Sequence, residues 1–150
     1  MRSMEKQFRV SKVENNLLPQ VFEIERLCFT SPFPEEYLRS LAESDSDCFL
    51  VAIEENRAVG YVSALVRGKD AHVASIAMLK DYRRRGVGRA LMSELIKSLK
   101  LRRIRTVSLE VRKSNTSAIR FYESLGFERV GVMPSYYEDG EDAVAFFMRL

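Results

Sequence analysis

Arg83-Arg84-Arg85-Gly86-Val87-Gly88-Arg89-Ala90 joins an apolar run, His72 to Met78, to a stretch where Leu91, Leu95 and Leu99, with Met92 and Ile96, form one helical stripe. A loop so placed lies between a strand and the start of a helix. There, free backbone N–H groups converge at the positive end of the helix dipole, and anions bind. Glycine has no Cβ to keep the backbone from an oxygen, and arginines add charge-assisted hydrogen bonds to phosphate. The stretch lacks a Gly-Lys-Ser/Thr ending, and Leu91 stands where a dinucleotide fingerprint has its third glycine, so neither of those phosphate loops fits. A Gly-x-Gly alone serves a tight turn equally well.

Around this loop, helical and strand patterns alternate. Phe8 and Val10 mark a short first strand, and Leu17, Val21, Ile24 and Leu27 or Cys28 recur at helical spacing within Leu17 to Phe29. Pro32 and Pro34 end that helix, and Pro34 opens a second one to about Ala42, with Glu35 and Glu36 near its start. Cys48 to Ile53 and Ala58 to Val66, parted by Glu55-Asn56, read as a β-hairpin. Thr106 to Val111 is a further strand, and Ala118, Phe121, Tyr122 and Leu125 predict a fourth helix, with Gly126 at its left-handed C-terminal position. Strands at Phe127 to Val132 and Ala143 to Leu150 flank a polar loop containing Asp139-Gly140. No repeat, low-complexity tract or linker interrupts the order. The expected class is α/β (α+β mixed), with helices crossing between strands of one sheet.

The 150 residues, 46% hydrophobic and 30% charged, suit one domain over residues 1–150. Met1 to Arg9 carries Arg2, Glu5, Lys6 and Arg9, and the apolar runs elsewhere are short, so neither a signal peptide nor a membrane span is expected. A soluble, cytoplasmic protein is the expectation. Cys28 and Cys48 have neither C-x-x-C spacing nor a neighbouring histidine, and read as buried structural thiols with no metal or disulfide. The net charge of +3 conceals a basic block from Lys80 to Arg105 that includes only Asp81 and Glu94 as acids. Lys97 to Arg105 suits a helix C-terminus. One compact anion loop explains the arginines beside the glycines without base-stacking signals, so the block does not read as a nucleic-acid surface.

Four separated motifs carry a resemblance covering nearly the whole chain. Ser75-Ile76-Ala77-Met78 followed by Arg83-x-x-Gly86-x-Gly88 resembles the acetyl-CoA motif of the Gcn5-related N-acetyltransferases. The run from Leu109-Glu110-Val111 through Asn115 and Phe121-Tyr122 to Leu125-Gly126-Phe127 resembles the second half of that signature. Glu25-Arg26-x-Cys28-Phe29-x-x-Pro32-Phe33 and Tyr136-Tyr137-x-Asp139-Gly140-Glu141-Asp142-Ala143 are similar to the branch that acetylates protein N-termini, the ribosomal-protein alanine and archaeal NatA-type enzymes. The resemblance implies a central, mostly antiparallel mixed sheet of about seven strands with about four helices, splayed at the cofactor site. It implies acetyl-CoA as co-substrate, with pantetheine along the backbone of Ile76, Ala77 and Met78. Pyrophosphate would lie on Arg83, Arg84, Arg85, Gly86, Val87, Gly88, Arg89 and Ala90, and Asn115 would touch the cofactor, although an Asn before a helix is also a common N-cap.

Acetyl transfer from a thioester needs a neutral amine, a polarised carbonyl and help for the departing sulfur. By resemblance Tyr122 is the general acid, the alternative being a core aromatic. Glu110 matches the proposed base of the ribosomal-protein branch, acting directly or through water, the alternative being a solvated strand carboxylate or a partner for a neighbouring arginine. Alternation along its strand turns Glu110 away from Leu109 and Val111. His72, the sole histidine, could join a proton relay or serve structure. The Met78 backbone N–H is implied to polarise the carbonyl. Substrate contacts are expected from Glu25, Phe33, Glu35, Tyr136 and Tyr137. The expected activity is direct transfer, within a ternary complex, to the N-terminal amine of a protein or peptide, ribosomal proteins included. Lysine side chains, small-molecule amines and an idle acyl-CoA-binding module are the alternatives.

Overall fold

Glu55 and Asn56 both take positive φ, 50° and 65°, as a two-residue hairpin turn between twisted strands requires. They join β2 (Phe49–Glu54) to β3 (Arg57–Arg67). Gly68, at φ 59°, turns β3 into β4 (Asp70–Met78). The structure is a computed structural model that describes residues 8–150; the reading of Met1 to Gln7 as free of a leader lies outside them. The other elements are β1 (Arg9–Lys12), α1 (Leu18–Cys28), α2 (Glu35–Ser44), α3 (Val87–Leu101), β5 (Thr106–Arg112), α4 (Thr116–Ser124), β6 (Glu128–Met133) and β7 (Ala143–Arg149).

The sheet has seven strands in the order β1-β2-β3-β4-β5-β7-β6. Every neighbour is antiparallel except β4 and β5, which α3 joins by a crossover. That parallel pairing is short, Asp70↔Thr106, Ala71↔Val107 and His72↔Ser108. Beyond it β4 runs on to Met78 and β5 to Arg112 without a partner in each other, so the sheet opens there as the resemblance implied. Ala74 is an extra residue against β3, where Ser63 pairs Ser75 but Ala64 pairs Val73. Such a bulge exchanges the two faces of a strand: Ala71 and Val73 before it pack in the same cluster as Ile76 and Met78 after it.

Each face of the sheet holds its own core. Leu91, Met92, Leu95 and Leu99 of α3 meet Val107, Leu109 and Phe146 on one side, and Leu18, Val21, Ile24 and Leu38 of α1 and α2 meet Phe49, Val51 and Tyr61 on the other. Each such side chain contributes roughly 1.5–3 kcal/mol by leaving water. α2 starts one residue later than expected, with Pro34 as its N-cap, and runs two residues further, to Ser44. Glu35 and Glu36 occupy its first turn, where acids suit the dipole. Gly126, at φ 99°, follows α4 as expected. Cys48 is buried, but Cys28 is only half-buried: as the last residue of α1 it points its thiol across to the Met78 carbonyl, 3.2 Å away.

Candidate active site

At the start of α3, the Ala90 N–H makes the first helical bond, to Gly86 O at 3.0 Å, so the amides of Val87, Gly88 and Arg89 have no partner within the helix. Among the described residues no side chain caps them, and no acid lies in the first turn. Arg84 (φ 63°) and Gly86 (φ 84°) are both left-handed, which turns neighbouring N–H groups toward one side and makes a concave anion seat. Arg84, Arg85 and Arg89 are exposed around it. The Arg85 guanidinium lies 4.6 Å from the Tyr82 ring, and Arg89 donates to the Ser124 hydroxyl at 3.0 Å. The two glycines do different work. Gly86 needs its backbone conformation and has open space where a Cβ would lie, whereas a Cβ on Gly88 would stand 3.0 Å from Met78 Cε and 3.2 Å from Phe121 Cζ. Gly88 therefore lets α3 pack closely on β4 and α4.

The unpaired edge of β4 faces the opening in the sheet. Leu79 N–H donates to Val59 O at 2.9 Å. Backbone groups alternate in direction along a strand, so the N–H groups of Met78 and Ile76 point away from β3, toward β5. An extended amide chain could pair there as an added strand, and Met78 N–H would meet a carbonyl at the wide end. Asn115 is the N-cap of α4, its Oδ1 accepting from Ala118 N–H at 3.1 Å. The capping alternative is thus realised, which occupies that oxygen and leaves the side-chain NH2 for other contacts.

Glu110 and His72 meet across the narrow end of the opening, His72 Nε2 to Glu110 Oε1 at 2.6 Å. The Tyr136 hydroxyl donates to the same oxygen at 3.1 Å. The side chains of His72 and Glu110 are 41% and 16% exposed, so the imidazole is the more accessible member. Burial pushes the Glu110 carboxyl up, but the hydrogen bond and charge of His72 and the Tyr136 hydroxyl outweigh it and hold the group below its ordinary value. A carboxylate so held is ionised at neutral pH and is a weak base.

Tyr122 lies on the opposite face, in the α3/α4 core, 6% exposed and edge-on to Phe127 with centroids 5.9 Å apart. Its ring is a core aromatic, yet its hydroxyl makes no hydrogen bond to a described residue. Burial, with a smaller part from Tyr137, pushes this phenol up, so it keeps its proton. Tyr137 is pushed up to about 12, by burial and then by Tyr136, with Arg112 opposing. It stacks on the Arg112 guanidinium at 4.1 Å, and Arg112 also binds Asp139 (2.8 Å) and Glu141 (2.9 Å), which ties the Tyr136–Tyr137 loop to the end of β5.

The Phe29 to Glu36 segment forms the other rim. Phe33 is 37% exposed and packs on Tyr37 with centroids 4.8 Å apart, while Glu35 is exposed. Glu25 is only 2% exposed. Both its oxygens are engaged, one by the hydroxyls of Tyr61 and Ser75 and the other by Phe33 N–H at 2.8 Å, so direct contact with a substrate is corrected to an interior role. No motif in the sequence gives Tyr61, Ser75 or Arg112 a role of its own. Tyrosine and serine inside otherwise apolar strands were the available signal for the first two.

No helix among the described residues is long and apolar enough to cross a membrane. A model of the acetyltransferase (GNAT) family matches residues 18–127. An N-alpha-acetyltransferase of Sulfurisphaera tokodaii is 34% identical, over 92% of this chain and 90% of that one. The [ribosomal protein bS18]-alanine N-acetyltransferase of Escherichia coli is 34% identical, over 90% and 93%. Ard1 from Thermoplasma volcanium superposes with a TM-score of 0.92 at 25% identity, covering 97% of this chain and 99% of that one. With the open β4–β5 junction and the uncapped, arginine-flanked helix start in place, these matches show that the chain belongs to the GNAT family of acetyl-CoA-dependent acetyltransferases.

Proposed function

We propose that this protein is an N-alpha-acetyltransferase, one domain over residues 1–150 that passes the acetyl group of acetyl-CoA directly to the N-terminal amine of a bound protein. The observation that carries the reading is the placement of a weak base and a protonated acid on opposite faces of the open β4–β5 junction. Glu110, His72 and Tyr136 cluster on one face, and the Tyr122 hydroxyl, without a partner among the described residues, lies on the other. Acetyl-CoA brings an activated acyl carbon and a thiolate leaving group. The amides of Val87, Gly88 and Arg89, with Arg83, Arg84 and Arg85, fit its pyrophosphate; the β4 edge at Ile76, Ala77 and Met78 fits its pantetheine; the Tyr122 hydroxyl fits a group that accepts a hydrogen bond.

Each proton has a place to go. The Glu110–His72 pair draws the proton from the attacking amine, with Glu110 holding the imidazole in position and balancing its charge. Met78 N–H stabilises negative charge on the carbonyl oxygen, and the Tyr122 phenol gives its proton to the sulfur. A thiol leaves readily, with a solution pKa near ~8.5, so this last donation accelerates the reaction rather than enabling it. Phe33, Glu35, Tyr136 and Tyr137 rim the acceptor side, and two relatives named for N-terminal acetylation support the acceptor class.

The test is incubation with acetyl-CoA and a peptide library in which every peptide carries a free N-terminus and one internal lysine, followed by fragmentation mass spectrometry. The reading predicts acetyl on the α-amine. Acetyl on lysine alone would replace it with the lysine alternative, and no transfer despite CoA binding would favour the idle module.

A further inference from the structure

Glu25 is a buried carboxylate with no cationic partner among the described residues, flanked on α1 by Ile24 and Val21 that serve packing alone. A buried carboxyl needs hydrogen-bond partners around it. Here the donors come from three other parts of the fold. Tyr61 of β3 and Ser75 of β4 bind Oε1, and Phe33 N–H of the α1–α2 segment binds Oε2 at 2.8 Å. Residues 30–33 donate no other hydrogen bond among the described residues, and Pro32 has no N–H to give. This carboxylate is thus the polar tie between the rim that displays Phe33 and Glu35 and the strand that forms one wall of the opening.

We propose that Glu25 is a positioning residue for the acceptor rim: from inside the core it sets where Phe33 and Glu35 stand, and so governs acceptor binding without touching the acceptor. The inference rests on the N-terminal acceptor reading for its choice of substrate, and its structural half stands apart from it. In Glu25→Ala the Phe33 N–H is left without a partner. In Glu25→Gln the amide oxygen still accepts from Phe33 while the amide nitrogen donates to the Tyr61 and Ser75 hydroxyls.

Two readouts test this. Amide exchange at Phe33, followed by NMR with no substrate present, is expected to accelerate by ~10-fold or more in Glu25→Ala and to stay within ~3-fold of wild type in Glu25→Gln. At saturating acetyl-CoA, KM for an N-terminal peptide is expected to rise by ~10-fold in Glu25→Ala, with kcat changed far less, and to recover in Glu25→Gln. CoA affinity by calorimetry is expected to hold in both. Should Glu25→Ala not fold, Glu25→Asp, one methylene short of Phe33, is read in its place. Unchanged exchange at Phe33, an unchanged KM despite faster exchange, or an equal loss of CoA affinity would each overturn the proposal. If the wild type prefers a lysine peptide, the acceptor reading fails by itself; the exchange result is unaffected and KM is then read with that peptide.

Discussion

The two sides of the open β4–β5 junction are built from different materials. On the α3 side the anion seat is backbone: three uncapped amides, the left-handed Arg84 and Gly86, and a glycine that lets α3 approach β4. On the α1–α2 side the rim is held by side chains from distant parts of the chain, with Glu25 reaching Tyr61, Ser75 and Phe33, and Arg112 gathering Tyr137, Asp139 and Glu141. A backbone seat recognises what every acetyl-CoA shares. A side-chain rim can change its occupant by changing a few residues, so the cofactor side and the acceptor side should fail separately when damaged.

The sharpest break is at the chemistry between them. Tyr122→Phe is expected to lower kcat by about 100-fold with CoA affinity and acceptor KM kept; an undiminished kcat would leave Tyr122 as a core aromatic. Next comes the cofactor side: Gly86→Val places a β-branched residue at φ 84°, a strain of ~1–3 kcal/mol. CoA affinity measured by calorimetry should fall ~5–150-fold, with acceptor KM at saturating acetyl-CoA unchanged. On the acceptor side Glu110→Gln should cut kcat by ~10-fold or more and change the limb of the pH–rate profile that falls with acid, because it removes a carboxyl that, against burial, His72 and Tyr136 hold below its ordinary value. A profile identical in shape would remove Glu110 from the proton path. Smallest is a pH effect on the rim. Glu141 is held down to about 2 by the Ser114 hydrogen bond and then by Arg112. Its folded value lies below the unfolded one of ~4.3, so its contribution is present above ~4.3 and is lost as pH falls toward about 2. Glu141→Gln should lower Tm slightly at pH 7, and the gap to wild type should close as pH falls through that window.

The same contrast explains what the sequence could disclose. Local rules were enough for the α3 side: Gly86 and Gly88 between a strand pattern and the Leu91, Leu95, Leu99 stripe announce a loop and a helix start. Yet the sequence could not tell a conformational glycine from a packing one. That distinction depends on Met78 and Phe121, which meet Gly88 only in the folded chain. The bulge at Ala74 was invisible too, since it is defined by β3 across the sheet. On the acceptor side Glu110 and Tyr136 were visible as candidates, but the bond between them spans 26 residues and the His72–Glu110 contact 38. The motif from Glu25 to Phe33 points to Glu25 as a substrate contact, and nothing local in it announces burial, since glutamate is mostly solvated. Its 2% exposure follows from Tyr61 and Ser75, placed opposite it by strands 36 and 50 residues on.

The central claim, that the acceptor side serves an α-amine, has a direct measurement. With a pKa near ~7.8, roughly 15% of an α-amine is neutral at pH 7, against roughly 0.04% of a lysine near ~10.4. A weak base such as the Glu110–His72 pair therefore has far less to do at an N-terminus. Initial rates are compared at equal concentration for two matched peptides, one with a free N-terminus and blocked lysine, the other with a blocked N-terminus and one free internal lysine. The account predicts acetylation of the first faster by ~100-fold or more at pH 7, with the gap narrowing as pH rises. Faster acetylation of the second would contradict it.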